Sequence, residues 1–448
     1  MSSSRYNLTE GPVGRVLLRM TSHLVWGLLT MMSFNAVDIY FIGQLGATPL
    51  AAIGFTFPVV FIITGSAMGI GVGLSSVVSR AVGEGDRHRV AELATRGLML
   101  AFVIVTVFAG LGLLMHDRLF AALGATPDLI ALIRRYMVPW FLGVGLLVLP
   151  MVGNSALRAS GDTFTPTLVM MLAAGLNVIL DPLLIFGLGP FPRLELQGAA
   201  VATVLSYSVT FVAAGWMLAR RGLLLFEIPA WRALTATWKQ ILYIGLPAVG
   251  TNLLMPLANG IMTRVMAGHG PLAVAAFGVA SRIESLAMVG SFALSTAMAA
   301  FAGQNIGARR YDRIAEAMRF NLRYNLLLGA AVWAVLFSFA HPIASLFTTD
   351  ESIIRLVMPY LALVPLSYGA FGFMLQAAST FNAAGKPKYS VVLFTTRLFA
   401  LTVPVAILAS RVFGPTGVYI AMFAGNAATG ALAFGLIHRA LRHPGRML

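Results

Sequence analysis

The chain has 448 residues, of which 58% are hydrophobic and only 10% are charged, whereas an ordinary soluble domain carries about 25% charged residues. So few charged side chains cannot cover the surfaces of the soluble domains that a chain of this length would form. The composition therefore excludes soluble enzymes and predicts an all-α integral membrane protein. The chain contains no cysteine, which excludes disulfides, thiol catalysis and cysteine metal sites.

Apolar stretches separated by short polar breaks follow one another along the whole chain. Each is long enough to cross the ~30 Å hydrocarbon core of a bilayer as a helix. Twelve transmembrane helices are predicted, at residues 16–42, 50–79, 93–115, 130–152, 165–187, 197–219, 240–266, 272–302, 317–340, 353–377, 389–410 and 416–437.

The basic residues give the orientation of these spans. The net charge of +15 could indicate nucleic acid, but most of the 31 Lys and Arg residues lie at the two ends of the chain and in alternate loops. Such an asymmetry marks the cytoplasmic side of a membrane protein. We therefore expect both termini in the cytoplasm, a location in the cell membrane (inner or plasma membrane) and no nucleic-acid partner.

The two halves of the chain repeat. A shift of 224 residues places Gly83 on Gly307 and Arg89 on Arg313. Six spans per half let both halves enter the membrane from the same side, so a parallel repeat is expected, and such repeats recur in transporters. Two six-helix bundles around a central cleft suit alternating access. The predicted parts are an N-lobe (1–219), a cytoplasmic linker (220–239) and a C-lobe (240–448).

Three acidic residues lie inside the predicted spans: Asp38, Asp181 and Glu284. A charged side chain at the bilayer centre costs at least about 2.5 to 3.5 kcal/mol, so function is the default explanation. The helix rise places Asp38, Asp181 and Thr203 roughly 7 to 9 Å below the outer boundary, in one layer. Asn177 precedes Asp181 by one helical turn and shares its face. These four residues, the carboxylate cluster, are predicted to meet inside the first bundle together with Asn35, which precedes Asp38 by three residues and shares its helix face.

The simplest chemistry for the carboxylate cluster is a shared proton, because two close carboxylates in a low dielectric cannot both ionise cheaply. A sodium ion held by the oxygen ligands of the same four residues is the alternative, and a static network that ties helices together is another. The second half places Met262, Leu401 and Val405 at the positions of Asp38, Asn177 and Asp181. Any ion coupling is therefore expected to be asymmetric.

The second half has its own charged residues at membrane depth. Glu284 and Arg397 reach similar depths by the helix rise, and we predict a buried ion pair between them. Arg282 is the poorer partner, since it lies two residues from Glu284 and on a different helix face. Paired charges neutralise each other, which favours a structural or gating role for this C-lobe pair over coupling.

A substrate pocket is harder to predict. Asn35 lies one turn before Asp38, and Phe34 and Tyr136 are aromatic residues that could line a pocket for flat lipophilic molecules. Packing in the core or against lipid is the commoner use of such side chains. We group Phe34, Asn35 and Tyr136 as candidate substrate-binding residues.

Several segments resemble the multidrug and toxic compound extrusion (MATE) transporters, over nearly the whole chain. In the first half the first span carries Val-Asp-Ile-Tyr-Phe-Ile-Gly and the fifth carries Asn-Val-Ile-Leu-Asp-Pro. First-half carboxylates without an acidic residue in span seven are similar to the DinF-like branch. The matching segments are 37–43, 79–86, 177–182, 280–284 and 303–307.

The resemblance implies export of cationic or amphipathic organic compounds, driven by inward proton or sodium flow through the carboxylate cluster. It also implies Asn154, Met170 and Tyr136 as cavity residues. Family members often carry a proline low in helix one, where this chain has Thr21, Ser22 and His23. The alternative function is a flippase for lipid-linked oligosaccharides or other lipid precursors, a member of the same superfamily, which should have a strongly cationic cleft.

Other classes fit less well. The two aspartates lack an intramembrane-protease motif and no HExxH occurs, so no enzyme activity is expected. A duplicated chain offers no ring of identical filter loops for a channel. We expect a monomer in the lipid bilayer that moves small organic substrates and needs no cofactor beyond its coupling ion.

Overall fold

The computed structural model describes residues 7–227 and 229–443, with the side chain of Asn35 outside the description. The ordered elements of this part of the chain are helices. Eleven of them are long and apolar enough to cross a membrane, or twelve if one bent pair forms a single span. The predicted fold class, an all-α membrane protein with about twelve spans, is confirmed.

The first half contains six long helices and one short one. The short helix, α4, is separated from the end of α3 by a single residue. The helices are α1 (Val13–Gly43), α2 (Ala47–Glu84), α3 (Arg87–Leu114), α4 (His116–Ala122), α5 (Pro127–Ala159), α6 (Phe164–Phe186) and α7 (Leu196–Arg220).

The second half is divided into more pieces. Its helices are α8 (Trp231–Ala267), α9 (Pro271–Ala287), α10 (Val289–Gly307), α11 (Tyr311–Ser338), α12 (Ala340–Ser345), α13 (Glu351–Leu363), α14 (Tyr368–Ala383), α15 (Pro387–Thr395), α16 (Val403–Phe413) and α17 (Pro415–Arg442). A 3₁₀ turn, Val364–Ser367, joins α13 to α14, and a π-helical segment, Thr396–Thr402, joins α15 to α16.

Three predicted spans of the second half are therefore not regular helices. The span predicted at 272–302 bends by 47° between α9 and α10. The spans at 353–377 and 389–410 contain the 3₁₀ turn and the π-helical segment. Hydrophobic length predicts where the chain crosses the bilayer but not the hydrogen-bond pattern inside a span, and 3₁₀ and π turns often lie at hinges or functional sites.

The chain divides into two compact units at different places from the predicted lobes. One unit contains His23–Val249, and the other contains Asn7–Ser22 and the described chain from Gly250 onward. Both divisions fall inside continuous helices, α1 and α8, rather than in the linker 220–239. The lobe boundaries drawn from loop positions therefore differ from those drawn from packing.

The sequence repeat is visible in the packing of the last two spans of each half. Gly198 of α7 lies against the backbone carbonyl of Leu184 in α6, and Gly417 of α17 lies against that of Ala409 in α16. A Cβ atom at either glycine would sit well inside van der Waals contact with those carbonyl groups. Small residues let transmembrane backbones approach this closely, and each half places such a glycine at the third residue of its last helix, α7 or α17.

The segment before α1 is bound to the second unit. The side chain of Leu8 is fully buried, and its carbonyl accepts hydrogen bonds from Asn305 Nδ2 at 3.2 Å and Arg313 Nη2 at 3.3 Å. Arg313 also donates to the carbonyl oxygens of Glu10 at 3.1 Å and Gly11 at 2.8 Å. The donors of this arginine are thus satisfied by main-chain oxygens of a segment three hundred residues away.

Candidate functional site

The carboxylate cluster begins on α6, where Asn177 and Asp181 project from one face a turn apart. Both are almost completely buried, at 1% and 0% exposure. Pro182 follows directly, and since proline has no N–H, the carbonyl of Val178 loses its normal helical donor. A buried carboxyl group therefore sits beside a local defect in the backbone hydrogen bonding of the helix.

Asn177 links the carboxyl group to α7. With its amide nitrogen toward Asp181, Asn177 donates to Asp181 Oδ2 at 2.8 Å and its amide oxygen accepts from the Thr203 N–H at 3.3 Å. The Thr203 hydroxyl lies 3.3 Å from the same amide. Because both sides of the amide have a partner, Asn177 holds the Asp181 carboxyl group in one position.

Asp38 completes the carboxylate cluster from α1. Its carboxyl group lies near enough to that of Asp181 for the two groups to interact, and a hydrogen bond between two carboxyl groups requires a proton on one of them. The Oδ1 atom of Asp38 is buried and has no hydrogen-bond partner among the described residues. The structure thus brings together all four residues of the predicted cluster, and the facing carboxyl groups can hold a proton between them.

Two tyrosines lie within electrostatic range of this pair. Tyr136 of α5 and Tyr207 of α7 both interact electrostatically with Asp38 and Asp181. Tyr136 was among the predicted pocket residues, whereas sequence reasoning missed Tyr207. The signal was present, since Tyr207 follows Thr203 by four residues and so shares its helix face. The two phenol rings give the cluster aromatic neighbours with polar ends.

The other predicted pocket residues are not gathered at the cluster. Asn154 lies on α5 with Tyr136 but about 27 Å further along the helix axis, and it is buried with no partner for its Oδ1 among the described residues. Met170 lies on α6 about 16 Å from Asp181 along the axis. Phe34 is half-buried, and the side chain of Asn35 lies outside the described residues.

A metal site of the usual protein ligands is not present in residues 7–227 and 229–443, where three or more His, Cys, Asp or Glu side chains nowhere come together. The oxygens that sodium would use are those of the carboxylate cluster. In the amide orientation described above, Asn177 presents nitrogen rather than oxygen to Asp181. A sodium ion at the carboxyl pair would need this amide to turn its oxygen toward Asp181.

The C-lobe acid has a different partner from the predicted one. Glu284 of α9 accepts a hydrogen bond of 2.6 Å from the hydroxyl of Tyr360 in α13. The Tyr360 hydroxyl in turn lies 3.4 Å from that of Tyr368. Both tyrosines are buried, so the carboxyl group of Glu284 ends a short chain of hydroxyl groups.

Arg397 lies in the π-helical segment and pairs with neutral groups. Its Nε donates to Asn426 Oδ1 at 2.7 Å, its Nη1 lies 3.7 Å from Met255 Sδ, and its guanidinium lies 3.9 Å from the ring centroid of Phe371. Its interaction with Glu284 is electrostatic, without an ion pair in the described structure.

The predicted ion pair between Glu284 and Arg397 is therefore wrong, because Glu284 accepts a hydrogen bond from Tyr360 and Arg397 donates one to Asn426. The third residue of the predicted pair, Arg282, is exposed on α9. The equivalents of the first-lobe cluster are apolar, as the repeat predicts, and Met262 is 2% exposed. The two lobes thus carry different polar chemistry at membrane depth: paired carboxyl groups in the first, and a carboxyl group separated from an arginine in the second.

Known proteins match this chain along most of its length. The MatE family model matches residues 24–183 and 247–408, one match in each half. The chain belongs to the MATE family of transporters. It is 39% identical to the FAD transporter of Shewanella oneidensis, over 97% of this chain and 96% of that protein.

More distant MATE relatives carry other names. The chain is 27% identical to the probable multidrug resistance protein YoeA of Bacillus subtilis, over 82% of this chain and 80% of the relative. The solved structure of the Vibrio cholerae MATE transporter VcmN in the bent form matches with a TM-score of 0.91 and 31% identity, over 96% of this chain and 97% of that one. The chain is thus a membrane transporter of the MATE family.

Proposed function

We propose that this MATE transporter exports its cargo in exchange for protons, and that the carboxylate cluster binds the driving proton. The observation that carries the proposal is the interacting pair of Asp38 and Asp181, in which one buried Asp38 oxygen has no hydrogen-bond partner in the described chain. Cargo release and proton binding would alternate as the transporter opens to either side of the cell membrane, with both termini in the cytoplasm.

A proton is favoured over sodium by the hydrogen bonds of Asn177. Sodium needs several oxygen ligands, and the amide nitrogen of Asn177 occupies one oxygen of Asp181. A protonated carboxyl pair, by contrast, needs only one shared hydrogen and keeps that amide bond intact. Sodium coupling remains the alternative that the transport assay below decides.

For the cargo we propose a flavin nucleotide of the FAD class. A relative covered over 96% of its length is named an FAD transporter, and FAD carries acidic phosphates. Arg397 supplies a cation at membrane depth in the second lobe without a carboxylate in direct contact among the described residues. A positive group of this kind suits an acidic cargo.

Organic cations are the second candidate. The two first-lobe carboxyl groups attract positive cargo when ionised, and the relative YoeA is named as a probable multidrug resistance protein. The two cargo classes differ in net charge, so one assay separates them. We expect a monomer in either case.

The test is transport into proteoliposomes with an acidic interior and a clamped membrane potential. Uptake of FAD and of ethidium is compared under a proton gradient, a sodium gradient and no gradient. Proton-driven FAD uptake supports both parts of the proposal. Uptake driven only by sodium contradicts proton coupling, and ethidium uptake without FAD uptake contradicts the flavin cargo.

A further inference from the structure

The half-buried Arg397 differs from Arg313, a buried arginine of the same unit, in what satisfies its donors. The guanidinium of Arg313 donates hydrogen bonds to three main-chain carbonyl groups and to Asn305 Oδ1. These bonds to the protein itself indicate a structural role. Arg397 has one hydrogen bond to an amide oxygen and one weak contact to a sulfur atom. A guanidinium carries five N–H donors, and these two contacts use only Nε and Nη1. The N–H groups of Nη2 have no acceptor among residues 7–227 and 229–443.

The neighbours of Arg397 hold it in place without neutralising it. Asn426 accepts from its Nε, and the Asn426 amide nitrogen donates to Ser367 Oγ at 3.0 Å, which fixes the orientation of the amide. Phe371 covers one face of the guanidinium at 3.9 Å. The aromatic ring and the amide therefore leave an edge of the planar group, rather than its face, for a further acceptor.

Glu284, the acidic side chain that interacts with Arg397, already accepts a hydrogen bond. Glu284 interacts electrostatically with Arg397, but its carboxyl group accepts the 2.6 Å hydrogen bond of Tyr360. Its oxygens form no ion pair with the guanidinium in the described part of the chain. A cation in a span normally faces a water-filled cavity or the bundle interior and marks a substrate pathway, so this free edge is explained by an acidic ligand.

The backbone around Arg397 is also unusual. The residue lies in the π-helical segment Thr396–Thr402, in the middle of a span that is otherwise α-helical. A π turn inside an α-helix is rare and is frequently found at functional sites. On the facing helix, Gly425 precedes Asn426 and allows α17 to approach Thr402 of the same segment. The sequence thus tolerates an irregular turn at the residue that carries the unsatisfied guanidinium.

We propose that the Nη edge of Arg397, held by Asn426 and Phe371, binds a phosphate group of the cargo. A planar guanidinium pairs with two phosphate oxygens at once, which gives both affinity and orientation. This inference rests on the proposed flavin-nucleotide cargo and assigns its acidic end to the second lobe. Asn426 acts as a positioning residue, because its amide sets the direction of the guanidinium.

The experiment measures binding of three flavins that differ only beyond the ring system: riboflavin without phosphate, FMN with one phosphate and FAD with two. Affinity is followed by flavin fluorescence in detergent for the wild type and for Arg397→Gln, Arg397→Lys and Arg282→Gln. We expect Arg397→Gln to weaken FMN and FAD at least tenfold and riboflavin less than twofold. The affinity of Arg397→Lys for FMN and FAD should fall between those of Arg397→Gln and the wild type, because lysine keeps the charge but cannot bind two phosphate oxygens at once as the planar guanidinium does. The exposed control Arg282→Gln should have the affinities of the wild type.

Competition in the wild type gives a second measurement that needs no variant to fold. ADP should displace FAD, whereas adenosine, which lacks the phosphates, should not. Equal displacement by both, or an equal loss of riboflavin and FAD affinity in a folded Arg397→Gln protein, would overturn the phosphate site.

The failure of this inference is distinguishable from failure of the proposed function. If the wild type transports FAD and Arg397→Gln binds it normally, only the phosphate site is wrong. If the wild type binds no flavin at all, the proposed cargo is wrong and the phosphate site falls with it.

Discussion

Replacement of Asp181 by asparagine tests the role of the carboxylate cluster most directly. Asparagine has nearly the same shape and can still accept the 2.8 Å hydrogen bond that Asn177 donates to the carboxyl group. It cannot bind or release a proton. We expect Asp181→Asn to remain folded and to exchange cargo across the membrane, while losing the ability to accumulate cargo against its gradient.

The structure sets the size of both effects. A hydrogen bond to a charged group contributes about 1.5 to 3 kcal/mol and a neutral one about 0.5 to 1.5, so the exchange at Asp181 costs about 1 kcal/mol of stability. That loss is too small to unfold a typical protein. A proton gradient of one pH unit supplies about 1.4 kcal/mol per proton, or roughly a tenfold cargo gradient. The variant should fall from that accumulation to none.

The assay is cargo uptake into proteoliposomes at equal protein content, with the membrane potential clamped. Cargo exchange at equal pH on both sides shows that the variant is folded and inserted. Glu284→Gln is the matched control, since it neutralises a half-buried span acid of the second lobe and should keep driven accumulation. Wild-type accumulation by Asp181→Asn, or its loss in Glu284→Gln alone, would refute coupling in the first lobe.

Three further predictions concern stability, measured by thermal unfolding in detergent. Glu284→Gln and Tyr360→Phe should each lower Tm by a few degrees, which corresponds to about 1 kcal/mol of stability. The double variant should be hardly less stable than either single variant, and losses that simply add would contradict the 2.6 Å bond. Gly198→Ala should cost about 1 to 3 kcal/mol through overpacking against a backbone carbonyl, while Gly215→Ala, with open space around its Cβ, should not; equal effects would argue against that close approach. Hydrogen bonds from Arg134 and His116 lower the pKa of Asp117. Asp117→Asn should therefore have a slightly lower Tm than the wild type from pH 7 to 5, and this difference should fade as the pH drops below about 4. A difference that grows in acid would contradict this.

The spans and the carboxylate cluster were predictable because both depend on distances along a helix axis. Apolar length gives the crossings, and the fixed rise per residue places Asp38, Asp181 and Thr203 in one layer. The contact of the Asn177 amide with Asp181 was predictable because the two residues are one helical turn apart. These quantities need no knowledge of how neighbouring helices are rotated, and the structure brings the side chains together.

The ion pair of the second lobe was not predictable in the same way. Glu284 and Arg397 reach similar depths, but depth says nothing of the rotation of each helix about its own axis. The bend after α9 and the π-helical segment both change that rotation, and neither interrupts the apolar pattern of the sequence. Glu284 is therefore hydrogen-bonded to Tyr360 and Arg397 to Asn426, and the spacing of residues along the chain indicates neither bond.

The buried segment at Leu8 has a consequence for the order in which the protein is made. Its main-chain oxygens bind Arg313 and Asn305, and those residues leave the ribosome only after the whole first half has been synthesised. Contacts between such distant residues form late, because their loop-closure entropy must first be offset. The segment before α1 can therefore reach its final contacts only after the second half has begun to insert. A ribosome-bound chain truncated before Asn305 should leave residues 8–11 open to protease.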